Sequence, residues 1–351
     1  MRGYGPTDDS GRLGSAEISR LMEVRVQVVQ DSADVSTVGA RWSLARRLAG
    51  YGAALSMALY LAVKVVWIAA GLSGDAPDGY GTTDWVLLNV VTVVMAATGI
   101  ALGLALAQPW GRRLAAGPVI FFSWVGAGFL VPMLPYVVIS SFLGGDQGDG
   151  SGSAAQGEEL FIAIGFAGMA VGLAVALPIY LRERWPRPFL GRVGDGPAHS
   201  SALVTAAMAV AAGLGLLWSS WALGGTLGLD PASRAQLELN DRLLSGSSGL
   251  WALLGAWSVW TLTRGRPARL RRWVPMTLAF GASGSLLAWS GWKLPMVILR
   301  PGGFVTGEYT AVAIVEHALG IGVGLALLAA VLRSARGHDA RGGGRTPAAA
   351  V

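Results

Sequence analysis

The stretch that decides the fold is Leu48–Gly71, LAGYGAALSMALYLAVKVVWIAAG, which is apolar for its whole length and carries one ionisable side chain, Lys64. A helix needs roughly 20 mainly apolar residues to cross the hydrocarbon of a bilayer. Seven more stretches meet that need, at about Trp85–Ala107, Ala115–Leu143, Leu160–Leu181, Ala202–Gly224, Leu250–Thr263, Val274–Leu299 and Thr310–Leu332. The sixth is short unless Ser245–Gly249 join it. The predicted class is an all-α, polytopic membrane helix bundle of about eight spans.

Composition agrees. The 351 residues are 53% hydrophobic and 14% charged, where a soluble domain carries about 25% charged residues. A soluble helical core of this size would also need charged outer faces, and they are missing. The chain has no Cys, which excludes disulfide frameworks, thiolate metal sites and Cys nucleophiles.

Of the 27 basic residues, only Lys64 and Lys293 are not Arg. The arginines cluster before the first and third spans, in the segment with Arg182, Arg184, Arg187 and Arg192, in Arg264–Arg272, and in the tail. Only Arg234, Arg242 and Arg300 fall on the other side, where the loops carry Asp75, Asp78, Asp84, Asp146, Asp149, Glu158 and Glu159. Basic loops stay in the cytoplasm, so both termini are predicted to be cytoplasmic in the plasma membrane. The Arg clusters are accounted for by topology, and nucleic acid is not an expected partner. Membrane lipids are.

The expected organisation is a cytoplasmic segment 1–47, partly disordered, then spans 1–4 over 48–183. A basic linker 184–200, spans 5–8 over 201–333 and a disordered tail 334–351 complete it. The first segment lacks the apolar core and cleavage site of a signal peptide. Gly144–Gly157 reads as a flexible loop.

The two halves echo each other. Gly168-Met-Ala-Val-Gly172-Leu-Ala in span 4 matches Gly320-Ile-Gly-Val-Gly324-Leu-Ala in span 8. Trp85-Val-Leu-Leu matches Trp251-Ala-Leu-Leu, and Pro109 with Arg112 and Arg113 matches Pro267 with Arg271 and Arg272. Four helices per half is an even number, so the expectation is a tandem 4+4 repeat with both halves in one orientation. Such repeats occur in transporters and also arise in scaffolds. The pairs Gly99/Gly103, Gly168/Gly172 and Gly320/Gly324 permit close helix approach, within the bundle or between copies in a homo-oligomer.

Four ionisable residues lie inside spans. Lys64 and Lys293 are roughly 10 Å below the outer ends of spans 1 and 7, and Glu316 and His317 roughly 12 Å deep in span 8. An unpaired charge there costs at least a few kcal/mol, so one shared layer is expected, with a Lys facing Glu316. Tyr60, Lys64 and Trp67 share a helix face, as do Ser285, Trp289 and Lys293, which would set each Lys against a ring. Trp218, Trp221 and Asn89 lie at similar depth. Pro132 and Pro135 disturb span 3, and Pro295 frees the carbonyl of Gly291.

Three functions stay open on these residues. One is a transporter or permease taking a small anionic or proton-coupled solute in an outward-open polar pocket, with Glu316 and His317 relaying protons. The second is a membrane enzyme on a lipid-linked substrate, with His317 or Glu316 as base beside Ser219, Ser220 or Ser290. The third is an accessory protein whose charges fix packing. No cofactor is indicated: Glu316 and His317 are adjacent and point about 100° apart, which is poor for chelating one metal.

The run Trp221-Ala-Leu-Gly224-Gly225-Thr-Leu-Gly228, echoed at Trp67-Ile-Ala-Ala-Gly71-Leu, resembles a signature of actinobacterial integral membrane proteins of unestablished activity. The resemblance implies a polytopic, duplicated helical membrane protein and carries no activity with it.

Overall fold

The computed structural model describes residues 39–74, 81–143, 153–195, 201–234, 237–300 and 305–342. Among these the chain is helical, without β-strands. Besides two four-residue turns of helix, Pro186–Phe189 and Pro231–Arg234, nine longer helices carry the described residues: α1 Ala40–Leu72, α2 Thr82–Ala107, α3 Ala116–Leu130, α4 Met133–Leu143, α5 Ser153–Arg184, α6 Ala202–Ala222, α7 Leu239–Arg264, α8 Trp273–Leu299 and α9 Thr310–Gly342. Six are long and apolar enough to cross a membrane: α1, α2, α3 continued through α4 to Ile139, α5 from Leu160, α6, and α9 as far as Gly337. The chain is an integral membrane protein with an all-α polytopic bundle.

α7 and α8 are as long as the six but less apolar, and packing explains why. Residues 279–286 of α8 are all buried, every face for two turns. The helix runs between α3, α7 and α9. Over those two turns the helix has no lipid face to make apolar, so Gly281, Ser283, Gly284 and Ser285 are tolerated there.

Several boundaries move from the sequence expectation. α7 begins at Leu239, well before Leu250, because Glu238 and Asp241 form a reciprocal capping box over its first turn. α9 runs on to Gly342, so 334–342 are helical rather than a disordered tail, in keeping with the Ala and Arg content of that stretch. α5 starts at Ser153, which takes Ser153–Gly157 out of the expected loop. The rest of that loop, the first 38 residues and 343–351 lie outside the described residues. Span 3 breaks at Val131–Pro132, and the buried carbonyl of Pro132 accepts a hydrogen bond from Ser247 of α7 at 2.6 Å. Backbone broken at depth is tolerated where a neighbouring helix supplies the missing partner. α8, by contrast, stays helical through Pro295.

α1 packs on α2 and α5; α6 packs on α7, and α8 on α9. The halves meet where α3 lies against α8. There the Trp124 indole N–H donates to the Ser283 hydroxyl at 3.0 Å, and a Cβ built on Gly128 would lie 2.2 Å from the backbone of Gly284. α3 and α8 are equivalents in the expected repeat, so this contact sits where a twofold relation would place it. The resemblance between halves is incomplete, since α8 packs closely on α9 while α3 only brushes α5.

All three GxxxG pairs are used inside the chain. Gly103 meets Gly50 and Ala54, Gly168 and Gly172 meet Ser56 and Ala53, and Gly320 and Gly324 meet Ser290 and Ser283. These faces are occupied by neighbouring helices of the same chain.

At the Arg-rich end, three arginines act as clamps rather than only as topology markers. Buried Arg46 of α1 pairs with Glu183 of α5 at 3.0 Å and donates to the Leu106 carbonyl of α2. Arg184 donates to the carbonyls of Gly111 and Leu114 and to the Tyr180 hydroxyl. Arg272, 1% exposed, donates to the Pro188 carbonyl at 3.1 Å and to Ser334 at 2.7 Å. Burial lowers the Arg272 pKa and the carboxylate of Asp195 opposes the shift; a guanidinium stays charged regardless. The linker also docks here: Val193 and Gly194 donate to the carbonyls of Leu270 and Ala268.

Candidate functional site

The intramembrane ionisable residues form two clusters, one per half. The expected single layer joining Lys64 to Glu316 is not found. Depth along a helix is readable from sequence, but the direction a side chain faces is set by which helices pack together. α1 is committed to α2 and α5, and shares no extended packing with α8 or α9.

In the first cluster Lys64 is buried, its Nζ 3.7 Å from the Trp67 ring centroid and 5.5 Å from that of Tyr60. The cation–π arrangement expected of this face is present. Trp85 of α2 completes it. Its indole lies 5.5 Å from Trp67 and donates to the Trp67 carbonyl at 3.2 Å. Asn89, 1% exposed, donates to the Trp85 carbonyl one turn back. Tyr60 packs on Phe166 of α5 at 5.0 Å, and its hydroxyl is bonded to Thr92. Gly71 lets Trp85 in: a Cβ there would lie 2.6 Å from the indole. Trp85 and Thr92 were not singled out from sequence, although Trp85 opens the repeated Trp-x-Leu-Leu and so was within reach.

The second cluster lies between α6, α8 and α9. Glu316 and His317 are each 3% exposed. Trp218 of α6 donates its indole N–H to Glu316 Oε2 at 3.3 Å. His317 Nε2 lies 3.4 Å from Glu316 Oε1. Neighbours in one helix are poorly aligned for hydrogen bonding, and Glu316 Oε1 and both ring nitrogens of His317 have no hydrogen-bond partner. Half-buried Lys293 of α8 is close enough for its charge to act on both groups, and Glu308 acts on Glu316 as well. Ser290, 1% exposed, lies against Gly320, one turn below Glu316; the GxxxG spacing was the signal for that approach.

Trp289 does not cover Lys293. Its ring packs edge-on against Phe129 of α3 at 5.5 Å, and its N–H is buried without a partner. Two of the serines weighed as nucleophiles are turned elsewhere. Ser220 donates to the Leu217 carbonyl, and Ser219 lies against Gly249. Among the described residues no serine is hydrogen-bonded to His317.

Glu316 and His317 are buried, and the run Trp221–Gly228 folds against the start of α9. After α6 the chain turns through Gly224 and Gly228, with φ of 93° and 80°, a region that glycine enters at little cost. Trp221 donates its indole N–H to the Leu227 carbonyl at 2.8 Å. Leu229, 2% exposed, drops into the core formed with Trp218 and Trp221. The segment is stitched to the start of α9 by Asp230 N–H to the Gly307 carbonyl and Tyr309 N–H to the Gly228 carbonyl, both 3.0 Å. Arg234 donates to the Leu229 carbonyl at 3.1 Å. The glycine-rich signature is therefore a cap packed on the first turn of α9, the helix that carries Glu316 and His317.

Comparison with protein-family models, with curated proteins and with solved structures gives no match to this chain.

Proposed function

We propose that this integral membrane protein is a proton-coupled permease for a small solute, with Glu316 and His317 as its proton-handling centre. One observation carries the reading. A carboxyl and an imidazole lie side by side, buried in a membrane helix, with three polar atoms lacking hydrogen-bond partners. Buried polar groups are nearly always satisfied, and an ionisable residue at membrane depth marks a function by default. The pair can accept or release a proton, Trp218 holds the carboxyl in place, and Lys293 supplies positive charge for an anionic solute. The Arg-rich end faces the cytoplasm in this reading, which puts both termini inside the cell membrane. In this reading the described state is an occluded one, because Glu316 and His317 are both buried. Lys64 with Tyr60, Trp67, Trp85 and Asn89 is a second, separate polar site in the other half.

The test uses the purified full chain in vesicles loaded with a pH-reporting dye, with an acid pulse outside. Inorganic phosphate and acetate serve as probes. Proton entry above that of empty vesicles is expected, with return to the empty level in Glu316→Gln and His317→Gln and retention in Lys64→Met. A signal no larger than that of empty vesicles under every condition, or one that survives Glu316→Gln, sinks the proposal. The cap packed on α9 favours a second reading, in which Glu316 serves only to lock α9 onto Trp218 of α6. Under that reading Glu316→Gln changes unfolding and leaves proton entry untouched.

A further inference from the structure

A groove of about 340 Å³ opens between α6, α7 and α9 at the Arg-rich end. We propose that it holds one anionic phospholipid, independently of the Glu316–His317 cluster. Its walls are apolar and buried, built by Val204, Leu262 and Ala330. Its rim is polar, with Ser201, Arg333 and Ser334 among the lining residues, and among the described residues no acidic one lines it.

Positive charge converges on that rim from three sources. Arg333 lines the groove directly. Arg272 stands behind Ser334, fully buried, and donates to both its hydroxyl and its carbonyl. The third source is the N-terminus of α6, where Ser201 Oγ accepts from the Val204 N–H at 3.3 Å. The other first-turn N–H groups of a helix lack intrahelical partners and attract phosphate oxygens.

The combination selects the occupant. A free anion would use the rim and leave the apolar walls empty. A zwitterionic lipid would use the walls and gain little from the arginines. A lipid with net negative charge uses both, and basic pockets between spans are a recurring form of such sites. The groove lies level with the arginines that border the spans, where lipid phosphates sit, so no lipid need leave the bilayer plane to fill it.

The experiment uses the delipidated full chain in detergent and compares phosphatidylglycerol, phosphatidylcholine and inorganic phosphate. Bound adducts are read by native mass spectrometry and the thermal midpoint by tryptophan fluorescence. Phosphatidylglycerol is expected to bind roughly tenfold tighter than phosphatidylcholine and to raise the midpoint. One arginine near lipid phosphate corresponds to roughly fivefold in affinity, so Arg333→Gln should remove most of that preference. Arg333 is exposed, and its replacement leaves the core intact. Ala330→Leu, which fills the groove, should weaken both lipids. Equal binding of the two lipids overturns the proposal. So does a midpoint rise reproduced by inorganic phosphate alone, or a preference that survives Arg333→Gln.

Discussion

Gly128→Ala is the sharpest probe of the contact that joins the two halves. The new Cβ would sit 2.2 Å from the Gly284 carbonyl carbon and 2.3 Å from its oxygen. Both are backbone atoms, and neither can rotate away. To reach an ordinary contact of 3.4 Å, α3 and α8 must part by about 1.2 Å. That displacement also carries the Trp124–Ser283 hydrogen bond, now 3.0 Å, beyond bonding range. Overpacking costs about 1–3 kcal/mol, and this clash belongs at the upper end. An interhelical hydrogen bond in a membrane adds about 0.6 kcal/mol. Alanine returns about 0.5–1 kcal/mol through its better helix propensity. The net expectation is a loss of roughly 2–3 kcal/mol. The assay is denaturant unfolding in detergent, followed by tryptophan fluorescence. Gly213→Ala and Gly322→Ala serve as controls, because a Cβ at either meets nothing within 4 Å. They should unfold at the wild-type midpoint or slightly above it. If Gly128→Ala unfolds with the controls, α3 and α8 do not approach as described and the joint between halves lies elsewhere.

Three further outcomes are expected in the same assay. Arg46→Ala leaves the Glu183 carboxylate buried beside an empty space and should cost about 3–5 kcal/mol; Arg46→Met with Glu183→Leu should recover most of it, and a double variant no better than the single removes the ion pair as the cause. Lys64→Met and Glu316→Gln should be additive within about 0.5 kcal/mol, as distant sites are, whereas coupling above about 1 kcal/mol would place both in one cluster. Gly228→Ala forces a Cβ into a left-handed turn and should cost about 1–2 kcal/mol; an unchanged midpoint would mean that the cap does not hold its described form.

Hydropathy makes the helices legible because lipid acts on each helix separately. A run such as Leu48–Gly71 must be apolar whatever its neighbours are, and the break at Pro132 follows from a missing N–H. Features that depend on a partner are less visible. The first turns of α7 are polar and look like loop, since their helicity rests on the Glu238–Asp241 cap. The partners of Arg46 and Arg272 include backbone carbonyls of other helices, and carbonyls leave no mark in a sequence. The burial cost of a charge draws attention to Lys64, Lys293, Glu316 and His317. It could not divide them, because a shared depth places residues on a circle around each helix axis without saying which arc faces which neighbour. The Trp221–Gly228 run was noticed for its glycines, and its purpose as a cap depends on contacts with Gly307 and Tyr309, almost eighty residues later.

The enclosure of α8 bears on how the protein is made. A segment carrying Ser283, Gly284, Ser285 and Lys293 gains less from leaving the translocation channel for lipid than its neighbours do, and its best surroundings are other helices. Two of these, α3 and α7, are synthesised before it, while α9 emerges afterwards. α8 therefore completes its burial only when α9 arrives. The last step of biogenesis would then be the one that buries Glu316 and His317 and lays the glycine-rich cap on the first turn of α9. A ribosome stalled before α9 would leave a chain with its apolar helices inserted and its polar centre not yet built.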